Sequence, residues 1–477
     1  MNKSIILRII GWILCLEAAL MLLPWIVSII YKEKIGYSFA ISIIICLAIG
    51  ITLISKKKHS EAFFAKEGLV SVALGWIVLS VFGALPFYIS GVIPSFLDAF
   101  FESVSGFSTT GFTILLDVES LPKSILFWRS FSNWIGGMGV LVFILAIVPM
   151  SGGQGMHFMR AESPGPSVGK LVPKIATTSK LLYLIYLAMT VLLIIFLLLG
   201  GVPLFDTLTI SFSTAGTGGF AISNSSLANY STYCHVVVTI FMLLFGVNFQ
   251  LYFFILYGNW KSVFKSEELK WYLIIVASSI FLISLNVGGF ENFFSSIKDV
   301  AFQVVTAITS TGFSTIDFST WPTFSQTLLI ILMFIGACAG STGGGIKVSR
   351  IVILFKSILR EFSSLIHRRS VKVLKMDKKR LEGETVRSVN MFFVTYVFIF
   401  IVSLLIISLD NFDFATNFTT IASATNDVGL GFGKVALKGN LSFFSPLSKF
   451  VLIFNMLAGR LELFPILLLL DPRTWKK

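Results

Sequence analysis

Three stretches of this chain, Ser38 to Ile54, Leu181 to Leu199 and Met391 to Leu409, contain no charged side chain. A helix rises 1.5 Å per residue, so roughly 17–25 apolar residues cross the ~30 Å hydrocarbon core of a bilayer. With 55% hydrophobic and 13% charged residues over 477 positions, and a mean hydropathy of +0.89, one water-surrounded core cannot absorb this much apolar surface. Backbone groups in lipid must bond within their own segment, so runs of this kind are helices. The sequence reads as an all-α polytopic membrane protein.

About ten transmembrane helices are expected. Two, near residues 5–30 and 37–55, form an N-terminal hairpin. Eight follow, near 69–90, 123–149, 180–200, 233–257, 270–287, 323–357, 389–409 and 447–470. The first run carries Lys3 and Arg8 but extends to about Ile30 without a small-residue cleavage site, so it reads as a retained helix. The net charge of +13 does not point to nucleic acid, because the basic residues sit between apolar runs. Lys56, Lys57 and Lys58 form one group, and Arg160, Lys170, Lys174 and Lys180 the next. Lys261, Lys265 and Lys270 make a third, and the largest spans Lys347 to Arg387. This is the positive-inside pattern, placing both termini in the cytoplasm. Cys15, Cys46, Cys234 and Cys338 form no CxxC pair, and His59, His157, His235 and His367 are scattered. Neither a disulfide framework nor a metal or haem site is expected. No enzyme signature is present either: paired intramembrane histidines, a zinc motif and a nucleophile constellation are all missing from the sequence.

The gaps after helices 3, 5, 7 and 9 each hold an apolar stretch too short to span, near 95–113, 203–220, 295–313 and 411–432. Such stretches read as re-entrant. They resemble one another. Asp98 leads to Thr110-Gly111-Phe112, Asp206 to Thr217-Gly218-Gly219-Phe220, and Asp299 to Ser310-Thr311-Gly312-Phe313. In these three the Asp precedes the key glycine by thirteen residues. The fourth is looser, from Asn417 to Asn426-Asp427-Val428-Gly429-Leu430. Recurrence between full spans marks an internal repeat. The parts are a hairpin over 1–60 and M1–P-loop–M2 repeats over 61–150, 175–260, 268–367 and 385–472, in pseudo-fourfold arrangement.

Asp98, Asp206 and Asp299 suit helix N-caps, where a carboxylate meets orphan N–H groups and the positive end of the dipole. About ten helical residues reach roughly half the hydrocarbon thickness, so each segment descends as a half-helix whose negative end favours a cation. Its glycine then allows backbone carbonyls to turn toward a cavity. A ring of such carbonyls replaces the hydration shell of K⁺, and four repeats close the ring.

These segments resemble the filter segments of the Trk/Ktr/HKT superfamily of K⁺ transporters, and further blocks support the resemblance. They are Trp128-Arg129-Ser130, Asn133 to Gly139, Ala339-Gly340-Ser341-Thr342-Gly343-Gly344-Gly345-Ile346-Lys347, and Ala458 to Phe464. The N-terminal hairpin favours the bacterial TrkH branch. The resemblance covers nearly the whole chain. It implies a selectivity filter at Thr110, Gly111, Gly218, Gly219, Thr311, Gly312, Val428 and Gly429, with K⁺ as the ion held and transported and no organic cofactor in this chain. Relatives that prefer Na⁺ often carry Ser at the first glycine position, so Gly111 favours K⁺. The fourth segment departs from the family pattern: Asp427 stands where Asn is common, and Leu430 where Pro is frequent. A carboxylate near the filter mouth bears on selectivity, so a Na⁺-preferring or ion-coupled carrier of the same architecture stays open.

Helix 8 is interrupted from Gly336 through Gly340, Ser341, Thr342, Gly343, Gly344 and Gly345, a composition that does not hold a helix. It is either a helix kink or, as the resemblance implies, an intramembrane gate loop. It is not a phosphate loop, because Ile346 separates Gly345 from Lys347, and Val348 takes the Ser/Thr place. Arg460 lies in an otherwise apolar helix. It either faces the pore as an electrostatic barrier, as the resemblance implies, or pairs with a buried acid such as Glu102. Arg129 either supports a half-helix or snorkels, and Glu17 reads as a packing acid. The implied partners are a second copy of the chain (a homodimer) and a cytosolic nucleotide-binding regulatory subunit of the TrkA type. The implied location is the bacterial inner membrane, with transport driven by the membrane potential.

Overall fold

The computed structural model describes residues 3–55, 65–139, 175–367, 373–436 and 440–475. Lys56, Lys57, Lys58, Arg160, Lys170 and Lys174, and the expected helix beyond Gly139, lie outside the described residues.

The hairpin consists of helices Lys3–Ile30 and Gly36–Ile54. They cross where Gly11 faces Gly50: a Cβ on Gly11 would stand 2.8 Å from the Gly50 carbonyl oxygen. Small residues at such a crossing let apolar helices approach closely in lipid. Each repeat then runs long helix, half-helix, loop, second helix. The long helices are Lys66–Ile89, Ser179–Leu199, Glu267–Gly288 and Gly383–Asp410, each apolar enough to cross a membrane. Their outer faces stay apolar and exposed, as at Ile44 of the hairpin, Leu184, Ile274 and Phe398. A soluble protein does not display such a band, whereas a lipid-facing one does.

The half-helices are Phe96–Phe107, Leu204–Gly216, Phe293–Ile308 and Phe414–Asn426. Each packs on the second helix of its own repeat and on that of the repeat before it. Phe96–Phe107 completes the circle by packing on Pro446–Arg460 of the last repeat. This cyclic neighbour rule is the pseudo-fourfold arrangement seen at the level of elements.

The second helices differ from expectation. Only the third was expected to break, yet an interruption follows Phe245, Ile335 and Arg460 alike. Thr232–Phe245 and Phe249–Leu256 meet at 90°. Thr323–Ile335 gives way to the loop before Val348–Ile366. Pro446–Arg460 stops where Glu462 and Leu463 adopt positive φ of 54° and 69°, before Phe464–Leu470. In the first repeat Lys123–Gly137 ends in the same place, with Gly139 at φ 78°. Apolar periodicity does not report such breaks, because residues on both sides are equally apolar.

Candidate functional site: a ring of four glycine segments

The half-helices do not begin where expected. Ser95 caps the first, accepting from the Asp98 N–H at 3.4 Å. Pro203 precedes the second and Asn292 the third, neither giving a side-chain cap bond. Asp98 and Asp206 therefore stand third in their helices and Asp299 seventh. Asp98 pairs with Lys449 at 2.7 Å, Asp206 accepts from the Tyr230 hydroxyl at 2.9 Å, and Asp299 lies 3.4 Å from Lys298. The recurring offset is a register, not a cap, because each helix extends further back than the Asp. In the fourth half-helix the cap is Asp413, which accepts from the Thr416 N–H at 3.0 Å.

All four half-helices end identically. Thr109, Thr217, Ser310 and Asp427 take left-handed φ of 61°, 53°, 54° and 52°. The next N–H then reaches back five residues to a half-helix carbonyl. The pairs are Thr110 to Ser105 (3.0 Å), Gly218 to Ser213 (2.9 Å), Thr311 to Thr306 (2.9 Å) and Val428 to Ser423 (3.0 Å). This is the Schellman closure of a helix end. It turns the chain sharply and delivers Gly111, Gly219, Gly312 and Gly429, with φ of 81°, 66°, 86° and 79°. Side chains are strained in that region, so glycine is needed.

The four glycines form a closed ring. A Cβ on Gly111 would collide with the Gly218 carbonyl oxygen, one on Gly219 with that of Thr311, one on Gly312 with that of Val428, and one on Gly429 with that of Thr110. Each glycine thus abuts the carbonyl preceding the next glycine, and the order runs around the circle in chain order. The sequence-selected Thr110, Gly111, Gly218, Gly219, Thr311, Gly312, Val428 and Gly429 all meet here. Through its backbone the fourth segment joins the other three as an equal. What sets it apart is the Asp427 side chain. That side chain lies before the glycine, on the side of the ring facing the interrupted helices, whereas the concavity lined by the four glycines lies on the other side with Thr113, Val118 and Phe220. Asp427 thus stands at the end of the ring next to the interrupted second helices, beside Gly344 and Gly459.

The ring is braced from outside by a buried ion pair, Arg129 Nε to Glu102 at 2.7 Å. Glu102 also accepts from the Thr113 hydroxyl and the Ile114 N–H, each at 3.0 Å. Arg129 donates to the Ala221 carbonyl at 3.2 Å and lies 4.2 Å from the centre of the Phe220 ring. A buried pair holds only when its remaining polar positions are satisfied, and these contacts satisfy them while joining segments one and two. Of the two expectations for Arg129, support of a half-helix is the one observed. Beyond the ring, the Asn224 amide bonds Asp117 at 2.7 Å and holds its carboxyl below the usual range. That contact ties together the loops that follow the first two segments.

The loop from Gly336 to Lys347 packs directly against the ring. The Gly344 N–H donates to Ser310 Oγ at 2.5 Å. Glu268 accepts from the Ala339 N–H at 2.7 Å and the Ser349 N–H at 3.1 Å, tying the loop to the helix that follows it. Lys347 Nζ donates to the Gly343 carbonyl. Arg460 donates to the carbonyls of Thr342 (2.9 Å), Gly137 (2.6 Å) and Gly136. Glu102 is taken by Arg129, so Arg460 does not pair with it. Arg350 pairs with Glu462, two residues beyond Arg460. Glu268 escaped sequence reading because it follows Lys261 and Lys265 in what looks like an ordinary basic loop.

The cation-transport family model TrkH matches residues 35–476. The Trk system potassium uptake protein TrkH of Salmonella typhimurium is 38% identical over 486 residues, covering 100% of both chains. Trk system potassium uptake protein TrkG of Escherichia coli is 33% identical, again over 100% of both. The crystal structure of the potassium transporter TrkH from Vibrio parahaemolyticus superposes with a TM-score of 0.89 at 33% identity, covering 100% of both chains. By sequence over its whole length and by fold, this multi-pass membrane protein belongs to the TrkH family of cation transport proteins.

Proposed function

We propose that this chain is the pore-forming subunit of a potassium-uptake system, conducting K⁺ through the glycine ring down the membrane potential. The observation that carries this reading is the closed cycle in which each ring glycine abuts the carbonyl of the next segment. Four half-helices end at the ring, so partial negative charge converges where a dehydrated cation needs it. The potential supplies about 2.3 kcal/mol per charge per 100 mV, enough for accumulation without an internal coupling step. Thr110, Gly111, Gly218, Gly219, Thr311, Gly312, Val428 and Gly429 form the selectivity filter.

The loop Gly340–Gly345 is the gate, and Arg460 holds it by binding its Thr342 carbonyl. Opening breaks that contact and those made by Lys347 and Glu268. Regulation comes from a separate cytosolic nucleotide-binding subunit, and the chain works as a homodimer. The basic surface supporting such a partner includes Arg360, Lys378, Lys379, Arg380 and Arg387. The cytoplasmic orientation of both termini follows from the placement of basic residues.

The deciding experiment is growth of a K⁺-uptake-deficient bacterium at low K⁺. Expression of this chain together with its regulatory subunit restores growth. Membrane insertion without rescue overturns the reading, and a Na⁺ flux exceeding that of K⁺ in the purified protein selects the Na⁺-carrier alternative.

A further inference from the structure

Asp427 is wholly buried at the ring, and its two carboxylate oxygens have different surroundings. Oδ1 accepts from the Thr110 hydroxyl of the neighbouring segment at 2.8 Å. Oδ2 has no hydrogen-bond partner among the described residues. It points toward the fourth second helix, where a Cβ on Gly459 would stand 2.9 Å from it. The gate-loop glycine Gly344 lies on the same side, its own Cβ position 3.2 Å from Asp427 Cβ. Arg460 and Lys347 are within electrostatic reach. The matching positions of the other segments, Thr109, Thr217 and Ser310, carry neutral hydroxyls. The charge is therefore single and off the fourfold axis.

A buried carboxylate oxygen with no donor is unfavourable unless a cation approaches it. It sits one residue before the ring carbonyl of Val428 and beside the gate-loop Gly344. We infer that Asp427 Oδ2 is a ligand for an alkali cation, forming an acidic site between ring and gate loop. This rests on the ring being the ion path, as proposed above. The Thr110 bond fixes the carboxylate, and the free oxygen faces the cation. Arg460 and Lys347 bound the site on the loop side, so a cation there meets one attractive group before two repulsive ones. A fixed charge in a low-dielectric cleft raises the local cation concentration about tenfold or more.

The test separates charge from hydrogen bond. Asp427→Asn keeps an acceptor for Thr110 and removes the charge. Asp427→Ser substitutes the kind of hydroxyl found in the other three segments. The full-length chain in proteoliposomes is assayed for Rb⁺ uptake against Rb⁺ concentration. Thermal unfolding of the purified protein titrated with KCl against choline chloride reports binding without flux. Both neutral variants raise the half-saturating concentration about tenfold in both assays. The inference is overturned if Asp427→Asn, which keeps the bond to Thr110, matches wild type. Wild-type protein that takes up no Rb⁺ in proteoliposomes or cells would count against the ion path itself, a distinct outcome.

Discussion

At the scale of single residues, the ring is set by backbone geometry. Gly312 has a φ of 86° and abuts the Val428 carbonyl. A methyl group there meets two obstacles, the left-handed backbone and a neighbouring carbonyl oxygen. Gly312→Ala is expected to abolish Rb⁺ uptake, or reduce it at least a hundredfold, while the protein still reaches the membrane. Uptake within a few-fold of wild type would show that the ring tolerates displacement and is not the filter. Much of this was readable in the chain, since glycine recurs at a fixed offset from a recurring Asp. What the offset means was not. Asp98 and Asp206 do other work, binding Lys449 and Tyr230, while Ser95 and Asp413 cap their helices.

At the scale of elements, the interruptions in the second helices bring distant repeats into contact beside the ring. Arg460 bridges two of them, binding Thr342 in the third repeat and Gly136 and Gly137 in the first. A charge-assisted hydrogen bond contributes ~1.5–3 kcal/mol. Arg460→Ala, which removes the bond to the Thr342 carbonyl, is expected to raise maximal Rb⁺ flux roughly tenfold. Proteoliposome uptake at saturating Rb⁺ measures this, and unaltered kinetics would remove Arg460 from the gate. Only the third interruption was legible in the sequence, through its run of glycines. The fourth turns on Glu462 and Leu463 at positive φ, which no composition rule anticipates.

At the scale of the whole molecule, apolar packing divides into two clusters. One joins the hairpin with repeats one and four, and the other joins repeats two and three with Val428, Leu430 and Phe432 of the fourth segment. The ring sits where they meet, so its segments are held from both sides by packed helices. A passive pore and a coupled carrier differ here in a measurable way. In a planar bilayer with unequal K⁺ on the two sides, currents through this protein are expected to reverse at the K⁺ equilibrium potential. That value should not move when pH or Na⁺ is made asymmetric. A shift with either gradient identifies a coupled carrier instead.

The sequence by itself determined the solvent of this protein, its repeat number and the identity of the ring residues. Long uncharged runs need lipid, and glycine recurring between spans needs a shared backbone task. Only the tertiary structure decided which residues meet across repeats. The Glu102–Arg129 brace joins positions 27 residues apart, while the Thr110–Asp427 bond joins positions 317 apart. Contacts over such separations are fixed by how helices pack around a common axis, and local patterns of hydropathy and turn chemistry carry no record of them.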